Sequence, residues 1–320
     1  MREIITKKLE SFDPTVDEPT PSKELPFNVP EHKGLPVGIH TISEKEYHAD
    51  PCSEPSLSNS VAKIIIQRSP YHAWLAHPKL NPNYQPTNKK EFDIGRAAHS
   101  LLLEGKEKIA ELEFDTFKTK VAKEARYEAY ANGLTPLLSK DLYTTRQMVE
   151  VAKKFIDSHK LLKEIFANSK PEQTLIWTES NVLCRARLDI LANDYKHVVD
   201  YKTTTNAKPA TWSRGHIIAQ GYDMQAAHYR SGIYRLTGVL PEFIFLVQEN
   251  KPPYGCSVVG LENSMEMVGE NKIMRALKIW RECLQSGKWD SYPTDILYYI
   301  APAYAIHEDL DMEDDNGVIH

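Results

Sequence analysis

Three strand-forming runs lying close together constrain the fold of this chain more than any other feature. Residues 174–178, 183–192 and 197–203 are rich in β-branched, aromatic and aliphatic side chains, and the polar turns Glu179-Ser180-Asn181 and Asn193-Asp194-Tyr195-Lys196 divide them. They read as a meander. Helical periodicity surrounds it. Ser58 is placed to cap a helix over 59–67, and Ser69-Pro70 starts a second, with serine as cap and proline at the first helical position. A helix over 91–104 puts Ile94, Ala97, Ala98, Leu101 and Leu102 at core-facing spacing. Residues 105–170 read as mostly helical and charged, interrupted between Gly133 and Pro136, with nothing that points to chemistry. After the meander come a helix over 218–236 that stops at Gly238, strands at 242–248 and 256–261, and a long helix over 264–286. This order predicts a mixed α/β fold: a central mixed sheet flanked by helices, with an N-terminal helical region.

The ends differ from the middle. Residues 1–40 carry Pro14, Pro19, Pro21, Pro26, Pro30 and Pro36 among polar residues and read as a loose arm. Residues 306–320 read as an acidic tail, in which Glu308 to Asp315 hold six acids and no base. One domain is expected over 41–305. The net charge of −5 becomes +1 without those six acids, so charge neither supports nor opposes a nucleic-acid partner. No apolar run reaches membrane-spanning length and the N-terminus lacks a signal-peptide core, which predicts no membrane association and a cytoplasmic setting. Cys52, Cys184, Cys256 and Cys283 are scattered, which argues against a zinc or iron–sulfur site built on clustered thiolates.

The chemistry concentrates in the meander. Side chains alternate along a strand, so Arg185, Arg187 and Asp189 share one face of the second run, while Cys184, Ala186, Leu188 and Ile190 share the other. On the third run Asp200 and Lys202 share a face. If the two runs pair, Asp189 comes close to Asp200. Two carboxylates that close repel unless a cation intervenes. Oxygen-rich sites with room for water suit Mg²⁺, with Mn²⁺ as a substitute. Such a site with Lys202 beside it can orient water and balance negative charge on a phosphoryl group. The plainer alternative for Asp200 and Lys202 is a surface ion pair. Arg185 and Arg187 could touch phosphate or simply pair with acids.

The ordered set Gly95-Arg-Ala-Ala-His99, Asp189, Asp200-Tyr-Lys202 and Gln225-Ala-Ala-His-Tyr229 resembles the PD-(D/E)xK nucleases, and within them the RecE-type exonucleases (exodeoxyribonuclease VIII), over roughly residues 40–305. No proline precedes Asp189. The resemblance implies a restriction-endonuclease-like core. It implies His99, Asp189, Asp200 and the backbone carbonyl of Tyr201 as metal ligands and Lys202 as the catalytic lysine. Gln225 and Tyr229, one turn apart on a helix, would line the active site. Without it, His99 reads as a satisfied histidine on an amphipathic helix, and Gln225 and Tyr229 as ordinary helix packing. The resemblance further implies Mg²⁺-dependent 5′→3′ degradation of linear double-stranded DNA from its ends and a ring-shaped homotetramer. A single-strand annealing partner and a phage or prophage recombination setting go with it. Glu249 is an additional candidate, and Trp212 and His228 are expected to be structural. Three alternatives stand beside this reading: a catalytically silent DNA-binding or assembly protein, a RecB-like or Cas4-like nuclease of other polarity, and a metal-free structural phage protein.

Overall fold

A central seven-stranded sheet separates the two larger of three hydrophobic clusters among the described residues, the third being a small one at Ala97, Leu137 and Leu142. The computed structural model describes residues 34–85, 93–104 and 108–301. The proline-rich arm up to Lys33 and the acidic tail lie outside these residues. Nine strands are present among them: β1 (Gly38–His40), β2 (Leu57–Ser58), β3 (Ile109–Leu112), β4 (Thr135–Leu138), β5 (Ser169–Glu179), β6 (Val182–Ala192), β7 (His197–Thr204), β8 (Glu242–Glu249) and β9 (Cys256–Gly260). The large sheet runs β1-β5-β6-β7-β8-β9, with β2 alongside β6. Its β7–β8 and β2–β6 pairs are parallel and the others antiparallel, so the sheet is mixed, as the sequence predicts. β3 and β4 form a separate parallel pair.

The helices are α1 (Glu44–His48), α2 (Asn59–Gln67), α3 (Pro70–Leu75), α4 (Asp93–His99), α5 (Lys120–Ala131), α6 (Ser139–Ser158), α7 (Lys160–Ala167), α8 (Pro209–Thr211), α9 (Ile217–Gln220), α10 (Tyr222–Thr237) and α11 (Asn263–Ser286). Period-two alternation sorts β8 cleanly. Phe243, Phe245 and Val247 pack under α2, α10 and α11, while Ile244 and Leu246 pack against α6 and α7 on the opposite face. Both faces are therefore covered, which is why the central strands read as continuous apolar runs.

Several boundaries depart from the sequence reading. Gly38–His40, inside the expected arm, is an edge strand on β5. The helix expected over 218–236 is broken at Gly221, whose φ of 67° is left-handed. A Cβ there would lie 2.4 Å from Lys63 Cδ, so glycine both turns the chain and admits that lysine. Residues 105–170 are not simply helical, because β3 and β4 interrupt them. The helix expected over 91–104 turns into a π-helical stretch at Ser100–Glu104; Glu91 lies outside the described residues.

Helix α11 crosses α10 at Gly269, where a Cβ would sit 2.2 Å from the carbonyl oxygen of Asp223. Lys272, three residues along α11, pairs with Asp223 Oδ2 at 2.6 Å across the same crossing. Gly269→Ala should therefore push two backbones apart and lower stability by roughly 1–3 kcal/mol, the usual range for overpacking. Denaturant titration measures this. An unchanged midpoint would mean the helices do not approach so closely.

Candidate metal centre and catalytic groove

Strands β6 and β7 are antiparallel neighbours, but their ladder holds only where Ile190 faces Val199 and Leu191 faces Val198. One step further the strands part, and Asp189 fills the gap. Its Oδ2 accepts the Tyr201 backbone N–H at 2.8 Å, so a side chain supplies an acceptor to that amide. The alternation of β6 breaks at the same residue. Cys184, Ala186 and Leu188 belong to the core under α10 and α11, whereas Ile190 belongs to the opposite face with Val199 and Ile244. The expected common face of these four residues thus fails at Ile190, because the backbone bends to deliver Asp189.

The partner strand bends at the same level. Glu172 lies between the pairs Pro171↔Ile190 and Gln173↔Leu188, which places it opposite Asp189. Its φ of 56° is left-handed, an uncommon state for a residue with a side chain. Both carboxylates meet His99, the last residue of α4. His99 Nε2 is 3.0 Å from Asp189 Oδ1, and Nδ1 is 3.1 Å from Glu172 Oε1. Arg187 Nε pairs with the other Glu172 oxygen, and its Nη1 donates to the Ile42 carbonyl at 2.8 Å.

Two contacts fix α4 in this position. Near its N-terminus, buried Asp93 pairs with Arg126 Nη2 at 2.6 Å and accepts from the Tyr130 hydroxyl at 2.7 Å, both on α5. One turn before His99, a Cβ on Gly95 would stand 3.0 Å from Thr203 Oγ1. The glycine lets the helix approach β7 at the Thr203 hydroxyl.

Asp200 and Lys202 do share a face of β7. Lys202 Nζ is 2.5 Å from Asp200 Oδ2, and Gln225 Nε2 on α10 donates to Asp200 Oδ1 at 2.6 Å. The Lys202 ammonium also lies 5.1 Å from the centre of the Tyr222 ring, within cation–π range. The Tyr201 side chain faces the other way, donating its hydroxyl to Gln248 Oε1 at 2.5 Å. His99, Glu172, Asp189, Lys202, Tyr222 and Tyr229 line one open groove of about 590 Å³. Asp200 and Gln225 are buried behind it, at 1% and 7% exposure.

Charge in the groove is finely shared. Burial opposes a proton on His99, but the neighbouring carboxylates outweigh it and raise its pKa to about 9. Burial also works to raise Asp189, yet the His99 charge holds it below the ordinary carboxylate value. Burial pushes Asp200 up to about 6, against the pull of Lys202. Lys202 itself is raised, because Asp200 and Asp189 overcome its desolvation. Asp189 and Glu172 thus favour the charged form of the imidazole that lies between them.

The donor set suits a divalent cation. One ligand atom from each of His99, Glu172 and Asp189 lies within 4.8 Å of the others. Glu172 Oε1 and Asp200 Oδ2 are buried and accept no hydrogen bond of ordinary geometry. Each has only a cation at ion-pair distance, His99 Nδ1 or Lys202 Nζ. Short contact without hydrogen-bond alignment leaves lone pairs that a metal can use. The sequence reading expects His99 and Asp189 as ligands, and the structure brings them together with Glu172, which that reading did not single out. Asp200 stands outside the 4.8 Å group, with Oδ1 hydrogen-bonded to Gln225 and Oδ2 ion-paired with Lys202.

Other candidates fall elsewhere. Arg185 is buried in a structural network, 3.1 Å from Asp50 Oδ2 and donating to the Ser56 carbonyl at 2.7 Å, so it takes the acid-pairing role rather than the phosphate one. Glu249 accepts the Ala207 N–H at 3.2 Å. Trp212 and His228 are buried in the core. All four cysteines are free, and none joins a metal-ligating group among the described residues. No described helix is long and apolar enough to cross a membrane.

The family described as "PDDEXK-like domain of unknown function (DUF3799)" matches residues 60–300, well over half of the chain. Among solved structures, a protein from Eubacterium rectale described as a "putative exonuclease" superposes with a TM-score of 0.57 at 13% identity, covering 84% of this chain and 98% of that one. An alkaline exonuclease from Laribacter hongkongensis aligns at 13% identity over 62% of this chain and 95% of its own, with a TM-score of 0.23 that carries no argument. No curated protein sequence matches. At such identities the structural likeness speaks for the fold alone.

Proposed function

This chain belongs to the PDDEXK-like family, and we propose that it is a divalent-metal-dependent nuclease that hydrolyses linear double-stranded DNA from its 5′ ends. The observation that carries the reading is the convergence of His99, Glu172 and Asp189 beside the Asp200–Lys202 pair in one groove. In this proposal His99, Glu172 and Asp189 hold the cation, with Asp200 and the Tyr201 carbonyl as further ligands. When bound, the cation supplies a more acidic water and takes up charge on the phosphoryl oxygen.

The remaining roles belong to the chain. Tyr201 N–H fixes the rotamer of Asp189 by holding Oδ2, which leaves Oδ1 facing His99. Gln225 orients Asp200 through Oδ1, and Asp200 in turn holds the Lys202 ammonium at the groove wall. From there Lys202 donates hydrogen bonds to the attacking water and to the oxygen where negative charge grows. Tyr222 and Tyr229 wall the site, and the Tyr222 ring lies beside the Lys202 ammonium.

The finer parts of the proposal rest on the RecE-like order of motifs alone. These are 5′→3′ direction, 3′ single strands left for recombination beside an annealing protein, and a ring of four chains. Mg²⁺ is the proposed physiological ion. The imidazole in the donor set should nevertheless make Mn²⁺ effective at lower concentration.

The test is incubation of the purified chain with 5′-phosphorylated linear duplex in Mg²⁺, in Mn²⁺ and in chelator. Loss of duplex with either ion, none in chelator, and a lower half-saturating concentration for Mn²⁺ are expected. Intact duplex in both ions would overturn the enzyme reading. A light-scattering mass far from four chains would remove the ring and leave the chemistry untouched.

A further inference from the structure

Six basic side chains line the groove, and five of them already face a carboxylate. His48 lies 3.6 Å from Glu44, His99 3.0 Å from Asp189 and Lys108 2.6 Å from Glu104, while Arg187 pairs with Glu172 and Lys202 with Asp200. Arg96 is the exception. Among the described residues no carboxylate comes within the 4.0 Å that defines an ion pair with its guanidinium. Glu44 senses its charge from further away but bonds to His48 instead.

This asymmetry has a consequence for any polyanion entering the groove. The floor holds Glu172 and Asp189, with Asp200 behind it, so the approach of a phosphate is repelled unless cations offset them. A cation already paired with a carboxylate contributes little further attraction. An unpaired guanidinium contributes most, and its planar fork matches two phosphate oxygens at once. Arg96 precedes His99 by three residues on α4, so the two side chains share a helix face. Three residues correspond to a rise of ~4.5 Å, on the order of the ~3.4 Å axial step between successive phosphates of one strand. The same Asp93–Arg126 contact that positions His99 also fixes the start of the turn that carries Arg96.

We propose that Arg96 holds a substrate phosphate one step along the strand from the bond that is cut, contributing to binding and register rather than to chemistry. The inference rests on the nuclease reading, and it concerns a residue that the metal group does not contain.

The experiment separates the two. Binding of a labelled linear duplex is measured in chelator by fluorescence anisotropy across a salt series, for the wild type, Arg96→Gln and Arg96→Lys. Arg96→Gln should bind about tenfold more weakly, and the slope of log affinity against log salt should fall by about one. Arg96→Lys keeps the charge, so its slope should stay at the wild-type value while affinity drops, because the fork is lost. Duplexes with 5′-phosphate and with 5′-hydroxyl ends form the second arm. An equal defect on both assigns a backbone phosphodiester, and a defect confined to the phosphorylated end assigns the terminal phosphate. Calorimetric Mn²⁺ binding near the wild-type value shows that the substituted α4 is intact; if Arg96→Gln does not fold, Arg96→Lys carries the reading. Wild-type affinity and slope in Arg96→Gln would overturn the proposal. A wild-type chain that binds DNA but cleaves none would overturn the nuclease reading instead and leave the Arg96 contact standing.

Discussion

Lys202→Ala is expected to lower the single-turnover cleavage rate by about a thousandfold, the upper range for losing one preorganised donor to a developing oxyanion, while Mn²⁺ binding changes only a few fold. Lys202 is held from both sides, by Asp200 at 2.5 Å and by the Tyr222 ring, so its ammonium arrives without reorganisation. It donates where charge grows and is not among the groups gathered around the metal position. Arginine should not restore the rate, because a planar fork cannot occupy the same point against Tyr222. The substitution also leaves Asp200 buried without its cation, which destabilises the fold, so rates must be read well below the melting temperature. A folded alanine variant within tenfold of the wild type would remove Lys202 from the mechanism.

How much of this site was legible depended on where the chain keeps its regular periods. Asp200 and Lys202 stand on a strand that alternates faithfully through Val198 and Val199, so their shared face followed from counting by two. His99 stood out only through the resemblance, since helical spacing by itself reads it as a satisfied histidine on an amphipathic helix. Asp189 was legible as a residue, but its surroundings were not, because β6 leaves its alternation there and sends Ile190 to the opposite face. Glu172 was hidden more deeply. The stretch Ser169-Lys-Pro-Glu-Gln173 has the composition of a turn, yet it is the first half of β5. A signal did exist. The hairpin closes with Glu179 opposite Val182, and counting seven residues back along each arm lands Glu172 across from Asp189. Gly221 and Gly269 were opaque for another reason: what each requires is the nearness of a residue distant in sequence, Lys63 in one case and Asp223 in the other.

Glu172 is also where the structure commits beyond the motif, and Glu172→Gln tests that commitment. Glutamine keeps the shape and one carbonyl oxygen that Arg187 Nε can still donate to, so the link to Ile42 and the fold should survive. What changes is the charge facing His99: two carboxylates become one. A metal held by one imidazole and one carboxylate from this group should bind at least ten- to hundredfold more weakly, the size of effect seen even for removal of outer supporting groups. Cleavage should vanish at metal concentrations that saturate the wild type and return in part as Mn²⁺ is raised, with the maximal rate less affected than the half-saturating concentration. A purely structural Glu172 predicts the reverse, a lowered melting temperature with unchanged metal affinity. Calorimetric titration of Mn²⁺ into the folded variant therefore decides between a ligand and a mere partner of Arg187: an unaltered affinity would return the metal site to His99, Asp189 and Asp200 alone.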